Sequence, residues 1–368
     1  MPNVVALAIP FFFVAIALEL AVARGRRRTV YRLGDAMADL GCGVAQQVVS
    51  LGAGGLVLGL YGALYQHRLW TLPGEALPWV AAFFGVELTY YWWHRLSHRV
   101  NLLWAAHVVH HQSEDYNLAV ALRQSVTTWA TGLPFFLPLA LVGVPTLHYA
   151  VMAALSLLYQ FWIHTELVPR LGFLERWFNT PALHRVHHAI NEGYLDKNHS
   201  ATLIIWDRLF GTYAPETEAC VYGTTRPLRS YNPLWAQLDG YLELWRLARR
   251  APNPVEAVKV LFKSPAWRPA WMGEPEKRDP AVKYDPTPGP DVMFYALAQW
   301  LVLMAFVFAF IMWGAALSAP STAVCVLLIA ASLLSLPGLV EGRPWARDLE
   351  AGRVVAAIPG LLVVFLVG

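Results

Sequence analysis

His94-Arg-Leu-Ser-His98, His107-Val-Val-His110-His111 and His184-Arg-Val-His187-His188 decide how this chain is read. Eleven of the twelve histidines fall between Trp92 and His199, and eight of them sit in these three clusters. Spacings of i, i+4 and i, i+3, i+4 bring imidazoles to one face of a helix, so each cluster can aim two or three ring nitrogens at a common point. Three such clusters would bury many polar nitrogens without partners unless a metal or a hydrogen-bond network satisfied them. Eight neutral nitrogens exceed the needs of one ion. Imidazole suits iron, zinc and copper, and four nitrogens for each of two ions would leave positions free for dioxygen or water. The expectation is a dinuclear, histidine-rich metal centre. His67 and His148 stand alone and read as packed or snorkelling side chains.

Composition places this centre in a membrane. Hydrophobic residues make up 57% of the 368 and charged residues only 14%, with a mean hydropathy of +0.41; a soluble domain carries about 25% charged residues. The fold class implied is an all-α integral membrane protein, a multi-span helical bundle with a cytoplasmic, histidine-rich, metal-binding cap. Apolar stretches long enough to cross a bilayer, or nearly so, run over residues 4–23, 40–65, 77–93, 127–144 and 147–163. Three more follow a polar middle, over 292–313, 319–339 and 354–367.

Arg24, Arg26, Arg27, Arg28 and Arg32 follow the first stretch, whereas the next loop has only Arg68 and the loops near Gly143 and Pro320 have none. The arginine-rich side is therefore expected to be cytoplasmic, with the amino terminus outside. On that count the third span delivers His94 and His98 to the cytoplasmic face and the fifth returns His164 there. The loop with Arg343, Arg347 and Arg353 lands on the same side. Because the arginines follow the first apolar core and none precedes it, that stretch reads as an uncleaved anchor. Cys42, Cys220 and Cys325 are far apart and suggest neither a disulfide framework nor a CxxC site.

The division expected is 1–78 for the first spans, 79–245 for the catalytic domain, 246–291 for a cytoplasmic linker and 292–368 for the last spans. Residues 166–291 form the cap. Within it, the stretch from Leu203 to Tyr213 mixes apolar anchors with Asp207-Arg208 and ends in a turn at Gly211, as a helix terminating at the membrane surface would. Glu243, Arg246, Arg249 and Arg250 alternate with Leu242, Leu244, Trp245 and Leu247, which suggests an interfacial helix. Residues 252–290, rich in proline and charge, read as an irregular linker.

The triple pattern HxxxH, HxxHH, HxxHH on a membrane protein resembles the fatty acid hydroxylase and sterol desaturase superfamily. Tyr91-Trp-Trp-His-Arg-Leu-Ser-His98, Trp104-Ala-Ala-His-Val-Val-His-His111, Ser113-Glu-Asp-Tyr-Asn117, Ala121-Leu-Arg-Gln-Ser125 and Asp196-Lys-Asn198 through Tyr213 narrow the likeness to its alkylglycerol monooxygenase branch. The resemblance implies that His94, His98, His107, His110, His111, His184, His187 and His188 hold two iron ions and carry catalysis. His164 matches a further histidine often found there. His199 stands where many relatives are expected to have an aromatic residue. It reads as a ligand, as a group beside the ligands, or as a neutral substitution.

Hydroxylating an unactivated or ether-adjacent C–H bond needs a strong oxidant, which two irons can build from dioxygen and electrons. Carboxylates can orient the imidazoles by accepting their second ring N–H, and Glu87 and Asp207 are the candidates for that role. Glu114 and Asp115 are also near, though solvated charge or helix capping suits them better. A lipid is expected to enter laterally from the bilayer with its head near Arg123, Trp206 and Arg208. Tyr90, Tyr91, Trp92 and Trp93 read as interfacial anchors.

The chain has no dinucleotide fingerprint, iron-sulfur spacing or cytochrome b5-like segment, so a separate electron donor is expected; the resemblance to the alkylglycerol branch implies tetrahydropterin, and that to the wider superfamily a cytochrome b5 or ferredoxin-type donor. No nucleic-acid partner is expected, and the expected location is a bacterial inner membrane. The branch implies cleavage of an ether lipid; the alternatives are a fatty acyl, sterol or other lipid hydroxylase or desaturase. A zinc-dependent membrane hydrolase is more remote because HExxH is absent. A metal or haem transporter is disfavoured because the ligands cluster at span ends.

Overall fold

Every apolar stretch becomes a helix in the computed structural model, which describes residues 4–273, 279 and 282–367. The first three are α1 (Val4–Gly25), α2 (Leu33–Tyr65) and α3 (Ala76–Arg99), followed without a loop by α4 (Asn101–His111). A hairpin of α5 (Thr128–Leu141) and α6 (Thr146–Trp162) leads into the cap, which holds two short helices, α7 (Pro181–His188) and α8 (Ile205–Leu209). Then come α9 (Pro233–Arg250), α10 (Pro254–Phe262), α11 (Pro290–Trp313), α12 (Ala319–Val340) and α13 (Ala346–Val367). No β-strand occurs among the described residues.

Four of these helices, α1, α2, α11 and α12, are long and apolar enough to cross a membrane. In the hairpin α5, with 14 residues, is shorter than its apolar stretch of 127–144, whereas α6 keeps the 17 residues of its own; they reach roughly 21 and 26 Å at about 1.5 Å per residue against a hydrocarbon core of about 30 Å. Conversely, α2 begins seven residues before its apolar stretch and α3 runs six beyond, because both ends are packed inside the protein and carry polar side chains with partners there.

Two apolar clusters hold the bundle. One joins Met37 and Val44 of α2 to Trp300 and Leu303 of α11 and Ile329 and Leu333 of α12. The other joins Tyr61 of α2, Val86 of α3, Leu139 of α5 and Tyr149 of α6, with the rings of Tyr61 and Tyr149 stacked 4.2 Å apart. Such a pair contributes about 0.5–1.5 kcal/mol beyond its buried area.

Residues 252–290 are not uniformly irregular. Asn253 caps α10 by accepting from the Glu256 N–H at 2.9 Å, and Pro254 takes the first helical position. Val260 then packs against Ala105 and Leu244. The end of α10 braces the corner between α3 and α4: Asn101 donates its main-chain N–H to Lys263 O and its side-chain amide to Val260 O, both at 2.9 Å. At this corner Val100 is extended, and the change of direction turns α4 back toward α3. The helix expected around residues 242–250 is longer, starting at Pro233 behind an Asn232 cap. It is only partly interfacial: Ala236, Gln237 and Leu244 are buried while Leu238 and Trp245 are exposed. Its close approach to α4 requires Gly240, where a Cβ would lie 2.9 Å from Ala105 O.

Candidate metal centre

The three histidine clusters converge, as their spacing suggested, but they divide in an unexpected way. Ligand atoms of His94, His98, His107, His111 and His187 lie within 4.8 Å of one another, and those of His110, His164, His184 and His188 form a second such group. The centre thus has nine histidines in groups of five and four: the eight of the three clusters, expected as four for each ion, together with His164, the further histidine the resemblance implied. The helical period explains the split. On α4 the i, i+4 pair His107 and His111 faces one group while His110, three residues on from His107, faces the other. On α7 the assignment is reversed: His184 and His188 face the second group and His187 the first. Each helix therefore serves both groups.

Main-chain carbonyls orient four of the rings. His94 Nδ1 donates to His199 O at 2.6 Å, His110 Nδ1 to Arg123 O at 2.9 Å, His164 Nδ1 to Gln160 O at 2.7 Å and His187 Nδ1 to Lys197 O at 2.9 Å. A carbonyl oxygen only accepts, so each of these rings carries its hydrogen on Nδ1 and a lone pair on Nε2. His110 Nε2 nevertheless lies 3.2 Å from His164 Nε2. Two facing lone pairs repel unless a cation lies between them. The Nε2 atoms of His98, His187 and His188 and Nδ1 of His184 are also buried without a partner among the described residues. This donor set fits metal ions, and imidazole nitrogen is a ligand suited to iron.

Burial keeps these rings neutral, the form that binds metal. It pushes His110 down to about 4 and His187 to about 3. It holds His107, His111, His164, His184 and His188 well below the usual histidine range, with neighbouring imidazoles adding to the effect.

The carboxylates act one step away. Glu87 accepts the main-chain N–H groups of Thr202 and Leu203 at 3.1 and 2.9 Å, not a ring N–H. Asp207 accepts from His199 N at 2.7 Å, Ser200 N at 2.9 Å, Ser200 Oγ and Thr212 Oγ1. It thereby fixes the loop whose carbonyl holds His94. Burial raises the Asp207 carboxyl above its usual range against these hydrogen bonds. Glu114 and Asp115 are buried and not solvated: Asp115 pairs with Arg32 at 3.1 Å and Lys283 at 2.8 Å, and Glu114 accepts from Tyr284 N at 2.7 Å. The carboxylate nearest a ring is Asp196, 4.0 Å from His98 Nδ1. It lies in the quoted Asp-Lys-Asn run, but only the tertiary structure brings it to His98.

Other expected residues are placed differently. Arg123 cannot meet a lipid head: it is buried against Asp39 at 3.1 Å, with Nε donating to Val109 O and Nη2 to Gln112 Oε1. Arg208 lies over the Tyr213 ring at 3.7 Å and donates to Glu175 O. Trp206 is half-buried near it. Of the four consecutive aromatics only Trp92 is exposed. Successive residues of a helix point around its circumference, so Tyr90 hydrogen-bonds Gln160, Tyr91 hydrogen-bonds Thr212, and Trp93 packs against His94 and His107. His148 packs on Trp79 and His67 is exposed, away from the centre. His199 belongs to neither group, yet its ring centroid is 5.1 Å from that of His98.

A family model for fatty acid hydroxylase matches residues 79–212, which contain all nine grouped histidines and His199. Alkylglycerol monooxygenase from Homo sapiens is 38% identical over 363 residues, covering 96% of this chain and 81% of the relative. The chain belongs to the fatty acid hydroxylase family. Within that family its likeness to alkylglycerol monooxygenases is nearly full-length, with that from Xenopus tropicalis 36% identical over 96% of this chain and 80% of the relative. Ornithine lipid hydroxylase OlsE of Rhizobium tropici is 31% identical over 137 residues, 36% of this chain and 40% of the relative. No solved structure matches. With helices long and apolar enough to cross a bilayer, this family member is an integral membrane protein.

Proposed function

We propose that the protein is a membrane lipid monooxygenase whose five-histidine and four-histidine groups each hold one iron ion. The facing lone pairs of His110 and His164 carry this reading, supported by relatives that are monooxygenases of alkylglycerol. Two bound irons would supply the activation of dioxygen with two electrons from a separate donor, a tetrahydropterin or a cytochrome b5 or ferredoxin-type protein. The substrate proposed is an ether lipid, hydroxylated on the carbon beside the ether oxygen so that the product collapses to an aldehyde and glycerol. The balance is one dioxygen, two electrons and two protons, with one oxygen atom in the lipid and the other in water.

The chain's own residues position the rings. The carbonyls of His199, Arg123, Gln160 and Lys197 fix four rings in one tautomer, so no proton need move for them to bind metal. Trp93 packs between α3 and α5, its ring 3.8 Å from where a Cβ would stand on Gly132 and in contact with His94 and His107. The arginine-rich side is proposed to be cytoplasmic in a bacterial inner membrane, with the tail reaching the site laterally. A zinc hydrolase is disfavoured because, among the described residues, both groups contain histidine alone, Glu87 and Asp207 are engaged with main-chain N–H groups, and Asp196 is paired with Arg99.

The test uses purified iron-loaded protein with alkylglycerol, fatty acyl lipids and bacterial lipid extract under labelled dioxygen, each with tetrahydropterin or a ferredoxin system. Label in the alkylglycerol product is expected, and alanine at His107, His110 or His187 abolishes it while lowering bound iron. Label only in an acyl or sterol chain would make the enzyme a different lipid hydroxylase. No label in any lipid, or one zinc in place of two irons, would overturn the reading.

A further inference from the structure

Beside the five-histidine group an open cavity of about 310 Å3 lies between the end of α3 and the cap, lined chiefly by Arg95, Arg99, Asp196, Lys197, His199 and Thr212. Its charge is unbalanced, three cations against one carboxylate, and that carboxylate is already engaged by Arg99 at 2.7 Å. Among the described residues Arg95 hydrogen-bonds through Nη1 alone, to Tyr91 Oη at 3.0 Å and Phe210 O at 3.2 Å. Its guanidinium is held over the Trp92 ring at 5.4 Å. Lys197 contributes its carbonyl to His187, which fixes the backbone from which its ammonium projects.

His199 connects this cavity to the histidine centre. Its side chain is 1% exposed, and its ring nitrogens, which lie beside the Asp196 main chain, make no hydrogen bond of good geometry among the described residues. Leaving a buried polar group unpaired is costly, so such a group usually marks a missing partner. The ring lines the cavity and lies 5.1, 5.5 and 5.6 Å, centroid to centroid, from His98, His187 and His94.

We propose that this cavity binds a small molecule bearing a phosphate or carboxylate group, held by Arg95, Arg99 and Lys197 and hydrogen-bonded at its inner end to His199. Planar guanidinium groups match the oxygens of such anions in charge and geometry. The lining offers only Leu195 as a large apolar side chain, so the occupant presents its polar part here and no long tail. A water-soluble anion and the head of an anionic lipid share this chemistry. The site goes beyond the oxygenase reading, since occupancy needs no turnover.

Full-length metal-loaded protein in detergent is titrated with inorganic phosphate by calorimetry, and the titration is repeated in nanodiscs of phosphatidylcholine with and without phosphatidic acid. Saturable binding is expected, weakened at least about ten-fold when Arg95→Gln and Arg99→Gln are combined, as for loss of charge-assisted hydrogen bonds. Both side chains are partly exposed, so iron content and melting temperature stay as in the parent. Competition by phosphatidic acid identifies a lipid head as the source, and binding undiminished by it identifies a soluble anion. His199→Leu, with iron content followed alongside, also weakens phosphate binding. Absence of saturable binding, or equal affinity in the double variant, would overturn the site; loss of iron in His199→Leu would instead place His199 among the metal ligands.

Discussion

Arg123 and Asp39 form an ion pair at 3.1 Å, with side chains 2% and 0% exposed, and the main-chain oxygen of the same arginine accepts the Nδ1 hydrogen of His110. A carboxylate on α2 thus determines how a histidine on α4 is aimed. Asp39→Ala leaves a buried guanidinium uncompensated and is expected to cost about 3–5 kcal/mol. Removing both charges, in Asp39→Leu with Arg123→Met, should recover much of that loss. Thermal unfolding in detergent measures both. Strictly additive losses in the double variant would show that the pair is not coupled as described.

Asp207→Asn tests the support behind His94. One carboxylate oxygen becomes an amide donor facing donors, so the His199 loop loosens and the carbonyl that holds His94 shifts. Iron affinity is expected to fall by about 10–100-fold, the usual effect of disturbing groups behind metal ligands, with the helical content unchanged. Equilibrium dialysis against a chelator measures the affinity. Parent-like affinity would mean that His94 is held without this carboxylate.

Acid should destabilise the metal-free protein through its buried histidines. In an unfolded chain histidine takes a proton near about 6.5, whereas burial holds His110 to about 4 and His187 to about 3. As pH falls through the window between these values the unfolded chain binds more protons than the fold, so stability is lost. Above the window it is fully present. Melting temperatures of iron-stripped protein from about pH 8 to about pH 5 should be level at first and then decline. Iron-loaded protein should resist longer. A stripped protein that gains stability in acid would contradict neutral buried rings.

Topology follows from the arginine count. Cysteines placed near Arg27, Asn191 and Arg347 should react with an impermeant reagent only from the cytoplasmic side, and one near Leu72 only from the other. Labelling near Asn191 from outside would reverse the proposed orientation of the cap.

Much of the site was legible because helical spacing is a local property. His107-Val-Val-His110-His111 already states that its imidazoles share a helix, and His164 just beyond an apolar stretch already points to the same end of the bundle. The apolar helices were legible for the same reason, although α2 and α3 run past their apolar runs, where partners elsewhere in the chain satisfy their polar ends. Residues 254–262 were missed because proline and charge dominate the flanks, while the Asn253 cap and Val260 matter only once α4 and α9 are in place.

By itself the sequence determined a helical membrane protein with converging histidine clusters, since hydrophobicity and periodicity are written in neighbouring residues. The tertiary structure alone decided the division into five and four, because that depends on which faces α4 and α7 turn toward each other. It alone showed that carbonyls of His199, Arg123, Gln160 and Lys197 hold the rings: every residue has a carbonyl, so sequence carries no signal for which one is used. The same reason withdrew Arg123 from the lipid interface. Charge is visible in sequence, whereas the buried partner that neutralises it, 84 positions away, is brought there only by the fold.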